Sequence, residues 1–250
     1  MGVPLLIHQM GKVGSTSLLD QLDGSPGYDT LHTHHLDDET LDSVERDYLS
    51  RGKRLPDHLV RSRIAKAGLL AAGRPLTIVT AVREPIARNV SAFFQNMDLY
   101  DTRFSTDPDE YVAGLIARFL ESYPHQVPLE WFDRQVKGPL GIDVYRHPFP
   151  HEAGWQVVEE NGHRMLILRA ETPDAVKVEA VNDFLGTRLS VMPRANAASD
   201  KYGELYASFL DLLRLPDDYV DRLLGSTYAR HFYSAAEIET FRARWRTVSS

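Results

Sequence analysis

The N-terminal segment constrains the fold most. Val3-Pro4-Leu5-Leu6-Ile7 is a short unbroken apolar run, the pattern of a strand buried on both faces in a parallel sheet. It turns polar at His8-Gln9 and enters the loop Gln9-Met10-Gly11-Lys12-Val13-Gly14, followed by Ser15-Thr16-Ser17-Leu18-Leu19. Ser15 offers an N-cap ahead of an apolar pair, so a helix is expected to begin there. A buried strand, a glycine loop and a helix start in this order open an α/β chain.

The rest of the chain continues that pattern. Tyr28 to His34 reads as a second strand, and Asp37 to Gly73 as two amphipathic helices broken around Leu55-Pro56. Leu76 to Val82 is rich in β-branched residues and is the clearest strand. Pro85 stands where a helix favours its first residue, and that helix is expected to reach about Asn96. Asp107 to Gly141 is mostly helical by period. Trp155–Val158 and Arg164–Leu168 read as strands joined through Glu160-Asn161-Gly162, and Asp174 to Trp245 as several helices. The expected fold is α/β, a three-layer doubly wound and mainly parallel sheet of the P-loop-like kind, with a helical C-terminal part. With no Pro/Gly/Ser-rich linker in 250 residues, a single domain over 1–250 is expected.

Composition excludes several function classes. A formal charge of −7 argues against a general polyanion binder, so no nucleic-acid partner is expected. The absence of cysteine excludes disulfides, zinc–thiolate sites and cysteine nucleophiles, and a cytoplasmic location is expected. The N-terminal apolar run is too short for a signal-peptide core and lacks a basic leader. Gly2 resembles the start of a myristoylation motif, but Leu6 stands where Ser or Thr is required. No stretch approaches the roughly 20 apolar residues that span a bilayer.

Two segments carry chemistry. Gly11-Lys12-Val13-Gly14-Ser15-Thr16-Ser17 combines backbone N–H donors, a helix start, three hydroxyls and a lysine, which together suit a multiply charged anion such as a phosphate or sulfate. An ordinary Gly/Ser turn capping a helix is the plainer alternative. A nucleotide-hydrolysing P-loop places its lysine after the second glycine, whereas Lys12 precedes Gly14. The second segment, Val82-Arg83-Glu84-Pro85-Ile86-Ala87-Arg88-Asn89-Val90-Ser91, puts an arginine at a strand end and a serine two helical turns later. Arg83 and Ser91 can grip one phosphate through charge-assisted bonds, with Arg88 adding charge or anchoring the helix.

Lys12 to Ser17 resembles the 5′-phosphosulfate loop of the sulfotransferases that use 3′-phosphoadenosine-5′-phosphosulfate (PAPS), and Arg83 with Arg88 and Ser91 resembles their 3′-phosphate motif. More narrowly, Arg88 to Asn96, Pro128 to Asp133, Gly141 to Tyr145 and His231 to Ser234 with Glu237, Ile238 and Trp245 resemble the bacterial capsular polysaccharide synthesis protein family. That family often carries Asn-Lys-Trp-Tyr-Ser where this chain has Ser199-Asp200-Lys201-Tyr202-Gly203, so only the tyrosine is kept. The resemblance implies transfer of a sulfuryl group from PAPS to a hydroxyl of a carbohydrate or glycoconjugate acceptor. PAP (3′-phosphoadenosine-5′-phosphate) is then the product and no metal is needed. Gly11, Lys12, Val13, Gly14, Ser15, Thr16, Ser17, Arg83, Arg88 and Ser91 would hold the donor, with Lys12 assisting the leaving group. The alternatives are a non-catalytic polysaccharide export protein and an ATP-dependent phosphotransferase.

An attacking hydroxyl must lose a proton, and Leu31-His32-Thr33-His34-His35-Leu36 lies at the end of the second strand, where the resemblance places a base. His34 is the candidate, with His32 and His35 as alternatives and Glu39 a weaker one. Strand alternation puts His32 and His34 on one face and His35 opposite, poor geometry for zinc. Arg169 and Glu171 are candidates for facing the acceptor or forming an ion pair. Trp131-Phe132 and Phe232-Tyr233 are candidates for a sugar-stacking platform or for core aromatics.

Overall fold

The computed structural model describes residues 2–14, 22, 27–97, 107–190 and 198–246, with side chains of 198–202 set aside. The chain divides into two compact units, one of Met1–Arg83 with Glu130–Pro193, the other of Glu84–Leu129 with Arg194–Ser250.

The first unit is built on a five-stranded sheet of order β2-β1-β3-β5-β4. Its strands are β1 (Val3–His8), β2 (Tyr28–Thr33), β3 (Thr77–Val82), β4 (Trp155–Glu160) and β5 (His163–Arg169). β1 pairs in parallel with β2 and β3, β3 in parallel with β5, and β4 closes the edge antiparallel to β5. The sheet is therefore mainly parallel, as the alternation of strand and helix signals predicts. Leu5, Leu6 and Ile7 of β1 and Ile78 and Val79 of β3 are fully buried, which is why these central strands read as unbroken apolar runs. The β4–β5 hairpin turns on Asn161 and Gly162, both with left-handed backbones (φ 51° and 78°), the conformation an Asn-Gly pair favours in a two-residue hairpin. β1 runs one residue further than its apolar run, because His8 pairs with Thr33 in register.

Helices α1 (Asp38–Ser50) and α2 (Asp57–Ala65) follow β2. Asp37 caps α1 by accepting from the Thr40 N–H at 2.8 Å, and α2 packs against β2. Arg63 of α2 pairs with Asp42 and Glu45 of α1. Between them the chain turns at Gly52 (φ 64°), and Pro56, around which the sequence predicts the break, stands as the N-cap of α2.

The order of strands creates a switch point. From β1 the chain goes to β2 on one side, then returns to β3 on the other. The carboxyl ends of β1 and β3 thus lie side by side with the connections leaving in opposite directions, the position where open α/β sheets bind ligands.

The second unit is helical: α3 (Pro85–Gln95), α4 (Pro108–Ser122), α5 (Ala198–Leu212, with a non-helical Gly203), α6 (Asp217–Leu224), α7 (Thr227–Phe232) and α8 (Ala235–Trp245). Its core is aromatic. Phe93 meets Phe119 at 5.4 Å and Phe209 at 5.9 Å between ring centres, and Phe94 meets Phe209 at 4.9 Å. Such offset and edge-on pairs add to the burial of large apolar area. Glu84 caps α3 by accepting from Ile86 and Ala87 N–H groups and also accepts from Trp245 Nε1 at 3.0 Å. Among the described residues no helix is long and apolar enough to cross a membrane.

Candidate functional site

The loop after β1 is held in an unusual backbone shape. Lys12 has φ 71° and Gly14 φ 72°. Glycine adopts this conformation freely, but a lysine pays a steric penalty of about 1–2 kcal/mol, and such strain tends to collect at functional loops. A Cβ at Gly14 would meet Ala170 Cβ only at 3.5 Å, so the requirement for glycine there is conformational rather than steric.

At the end of β3, Arg83 Nη1 donates to the Lys12 carbonyl at 3.1 Å. Two cations are thereby brought together at the switch point. Burial, and after it the Arg83 guanidinium, hold the Lys12 pKa below its usual value. Like charges kept close in a half-buried site favour an anion between them, because it would relieve the repulsion. Ser15, Thr16 and Ser17, the remainder of the predicted anion loop, lie outside the described residues.

The second predicted cluster gathers one layer over. β2 ends at Thr33, so the alternation that put His35 on the face opposite His32 and His34 does not extend to these residues. The strand pattern stops once the ladder partners run out, and His34 and His35 follow it as loop residues. The His32 and His34 rings lie 4.9 Å apart and those of His34 and His35 6.4 Å. A fourth histidine joins from α2, the His58 ring 4.7 Å from His34.

Gln9, the residue after β1, ties this cluster to the anion loop. Its backbone carbonyl lies 2.6 Å from His34 Nδ1, and a carbonyl can only accept, so the proton sits on Nδ1 and Nε2 is the accepting nitrogen. The Gln9 side-chain amide lies 3.3 Å from His32 Nε2, which uses that ring's accepting nitrogen. Burial and the proximity of His34 and His58 push His32 down to about 4, and burial and His34 push His58 to about 4. Both are neutral at pH 7. Of the three predicted bases, His34 has its Nδ1 bonded to a backbone carbonyl, which fixes the ring and turns Nε2 away from that bond.

The loop that carries His34 is fastened from Glu130–Pro193. Trp131 Nε1 donates to the His34 carbonyl at 3.2 Å, and the Trp131 ring lies 4.8 Å from that of His8. Buried Gln135 accepts through Oε1 from Leu36 N–H at 2.7 Å and Asp37 N–H at 3.0 Å, and its amide donates to Thr40 Oγ1 at 3.1 Å. The Gln135 carbonyl accepts from His8 Nε2 at 3.0 Å, while His8 Nδ1 accepts from Thr33 Oγ1 at 2.8 Å. His8 is pushed down to about 3 by burial. Gln9, His58 and Gln135 were not singled out as site residues by their sequence, and Trp131 only as a candidate for sugar stacking or for the core. The signal available was a polar His8-Gln9 pair directly after a buried strand, and a Trp and a Gln four residues apart on one helical face.

Several other predicted residues are buried. Arg88, in the second unit, is 7% exposed and donates to Asn89 Oδ1 at 3.2 Å and Tyr123 Oη at 2.9 Å, which is the helix-anchoring role. Ser91 follows on the same helix and is 4% exposed. Arg83 belongs to the first unit and Arg88 and Ser91 to the second. Trp131, Phe132, Phe232 and Tyr233 are all at most 3% exposed, so they are core residues and not a surface for sugar stacking: large rings gain more from burial than from a wet face. The stretch Ser199 to Gly203 opens α5, with Gly203 at φ 29°. Among the described residues no group of three or more His, Asp or Glu is arranged to hold a metal ion.

No curated protein and no solved structure matches the chain significantly. The likeness read from Arg88 onward is matched over a shorter span that contains Trp131 and Gln135 but not Lys12, His34 or Arg83: residues 117–234 match the sequence model of the family described as "Putative capsular polysaccharide synthesis protein".

Proposed function

We propose that this chain is a sulfotransferase of the PAPS-dependent kind, with the corresponding fold, acting on a hydroxyl of a carbohydrate or glycoconjugate acceptor. The observation that carries the reading is the Lys12–Arg83 pair at the switch point, two cations converging on a strained glycine loop. Such a site fits a donor with phosphate and sulfate groups. In this reading the Lys12 ammonium neutralises the phosphate oxygen as its bond to sulfur breaks. His34 Nε2 takes the acceptor proton as the hydroxyl oxygen bonds to that sulfur. Gln9 keeps the histidine tautomer suited to this step. The match to a polysaccharide synthesis family over 117–234 supports a carbohydrate acceptor.

An ATP-dependent phosphotransferase is less well supported. It needs a carboxylate for magnesium at a strand end, and the acid beside β3, Glu84, is 2% exposed and committed to capping α3 and to Trp245. Calorimetric titration of PAP without metal, with ATP in parallel, separates the two. Micromolar PAP binding with little for ATP is expected. Absence of PAP binding removes sulfuryl transfer, and ATP binding that requires Mg²⁺ moves the assignment to phosphoryl transfer.

A further inference from the structure

The connection from α1 to α2 borders a groove of about 580 Å³, inside the roughly 300–1,000 Å³ that small-ligand sites occupy. Its lining is two-sided in character. Leu49, Leu55 and Val60 supply apolar surface, with Leu49 59% and Val60 47% exposed. Lys53, Arg54 and Arg61 supply positive charge against the single carboxylate of Asp57. This local excess stands out in a chain of net charge −7.

Neighbouring basic residues are already occupied. Arg51 pairs with Asp47, Arg63 with Asp42 and Glu45, and Lys66 with Asp38. Lys53 and Arg54 make no ion pair among the described residues, so their charge is available to a ligand. The groove is also tied to the histidine cluster. α2 contributes Val60 and Arg61 to the groove and His58 to the ring contact with His34, and the Arg61 charge reaches His32.

We propose that this groove binds an acidic oligosaccharide, with its carboxylate or sulfate groups held by Lys53 and Arg54 and its C–H faces on Leu49 and Val60. No lining residue is aromatic, which removes the stacking platform single-stranded nucleic acids use. That the bound chain is the acceptor rests on the transfer reading above; that it binds does not.

The test is calorimetric titration of the full chain at low salt with hexagalacturonate, with maltohexaose as the uncharged probe and phosphatidylserine vesicles as the lipid arm. Hexagalacturonate is expected to bind, and Lys53→Glu/Arg54→Glu to weaken it about tenfold or more. Arg146→Glu, a reversal at an exposed site outside the groove, leaves it unchanged. Both groove residues are exposed, so the double variant keeps its fold, which a melting curve verifies. Equal affinity in the double variant, equal affinity for maltohexaose, binding to vesicles only, or no binding overturns the proposal. PAP titrated in parallel keeps the two readings apart. Oligosaccharide binding without PAP binding leaves the groove and removes the transfer reading; PAP binding without oligosaccharide binding does the reverse.

Discussion

Lys12 joins an ammonium group to a left-handed backbone (φ 71°), and the two properties predict opposite effects of one substitution. Lys12→Gly removes the backbone penalty, so the melting temperature should hold or rise, while turnover is lost. Lys12→Ala should likewise abolish turnover with a smaller loss of PAP affinity. Unchanged turnover in either folded variant removes Lys12 from the mechanism. His34→Ala is expected to lower kcat by about 10²–10⁴-fold with little effect on PAP affinity. The readout is kcat against the titrated PAP affinity for each of His32→Ala, His34→Ala and His35→Ala. A larger kcat loss at His32 or His35 than at His34 would move the base assignment to that residue. The residue types of this site were legible as a lysine between two glycines and three histidines after a strand. The tautomer that singles out His34 was not, since it depends on the Gln9 carbonyl, 25 residues away in sequence.

At the scale of elements, the loop after β2 holds its shape because Gln135 accepts from two of its backbone N–H groups. Gln135→Ala leaves those donors without their partner and should cost about 1–3 kcal/mol, read as a lower urea midpoint. Because Leu36 and Asp37 lie two and three residues after His34, kcat should fall as well while PAP affinity persists. Gln135→Glu retains the accepting oxygen and should recover more activity than Gln135→Ala; if it does not, Gln135 acts only as packing. The strands themselves were readable because parallel strands buried on both faces leave unbroken apolar runs, and the hairpin because Asn161-Gly162 admits one kind of turn. The end of β2 was not readable: Thr33, His34 and His35 share similar polarity, and only the ladder with β1, ending at His8–Thr33, decides where the strand stops.

For the molecule as a whole, buried His8 and half-buried His32 and His58 predict how stability responds to acid. His8 is held at about 3 and His32 and His58 at about 4, against an ordinary 6.5. Between pH 6.5 and about 4 the unfolded chain binds these protons and the folded chain does not. Stability is therefore full above pH 6.5 and falls as pH drops through that window. Denaturant midpoints measured from pH 7.5 to 4.5 should decline, and His8→Asn, which retains a donor and an acceptor, should flatten the slope. A pH-independent midpoint would mean that the three rings are not held neutral.

The sequence by itself determined the fold class, the opening strand and the residue types able to bind an anion, because these follow from local periodicity and charge. Only the tertiary structure decided which of those residues meet. Arg83 reaches the Lys12 carbonyl because β1 and β3 are neighbours across the switch point, and Trp131 and Gln135 clasp the histidine loop from about a hundred residues away. Trp131 and Phe232, which their sequence allowed as sugar contacts, became core residues because large rings gain more from burial than from a wet face. Chain periodicity carries the first kind of information, and strand order and packing carry the second.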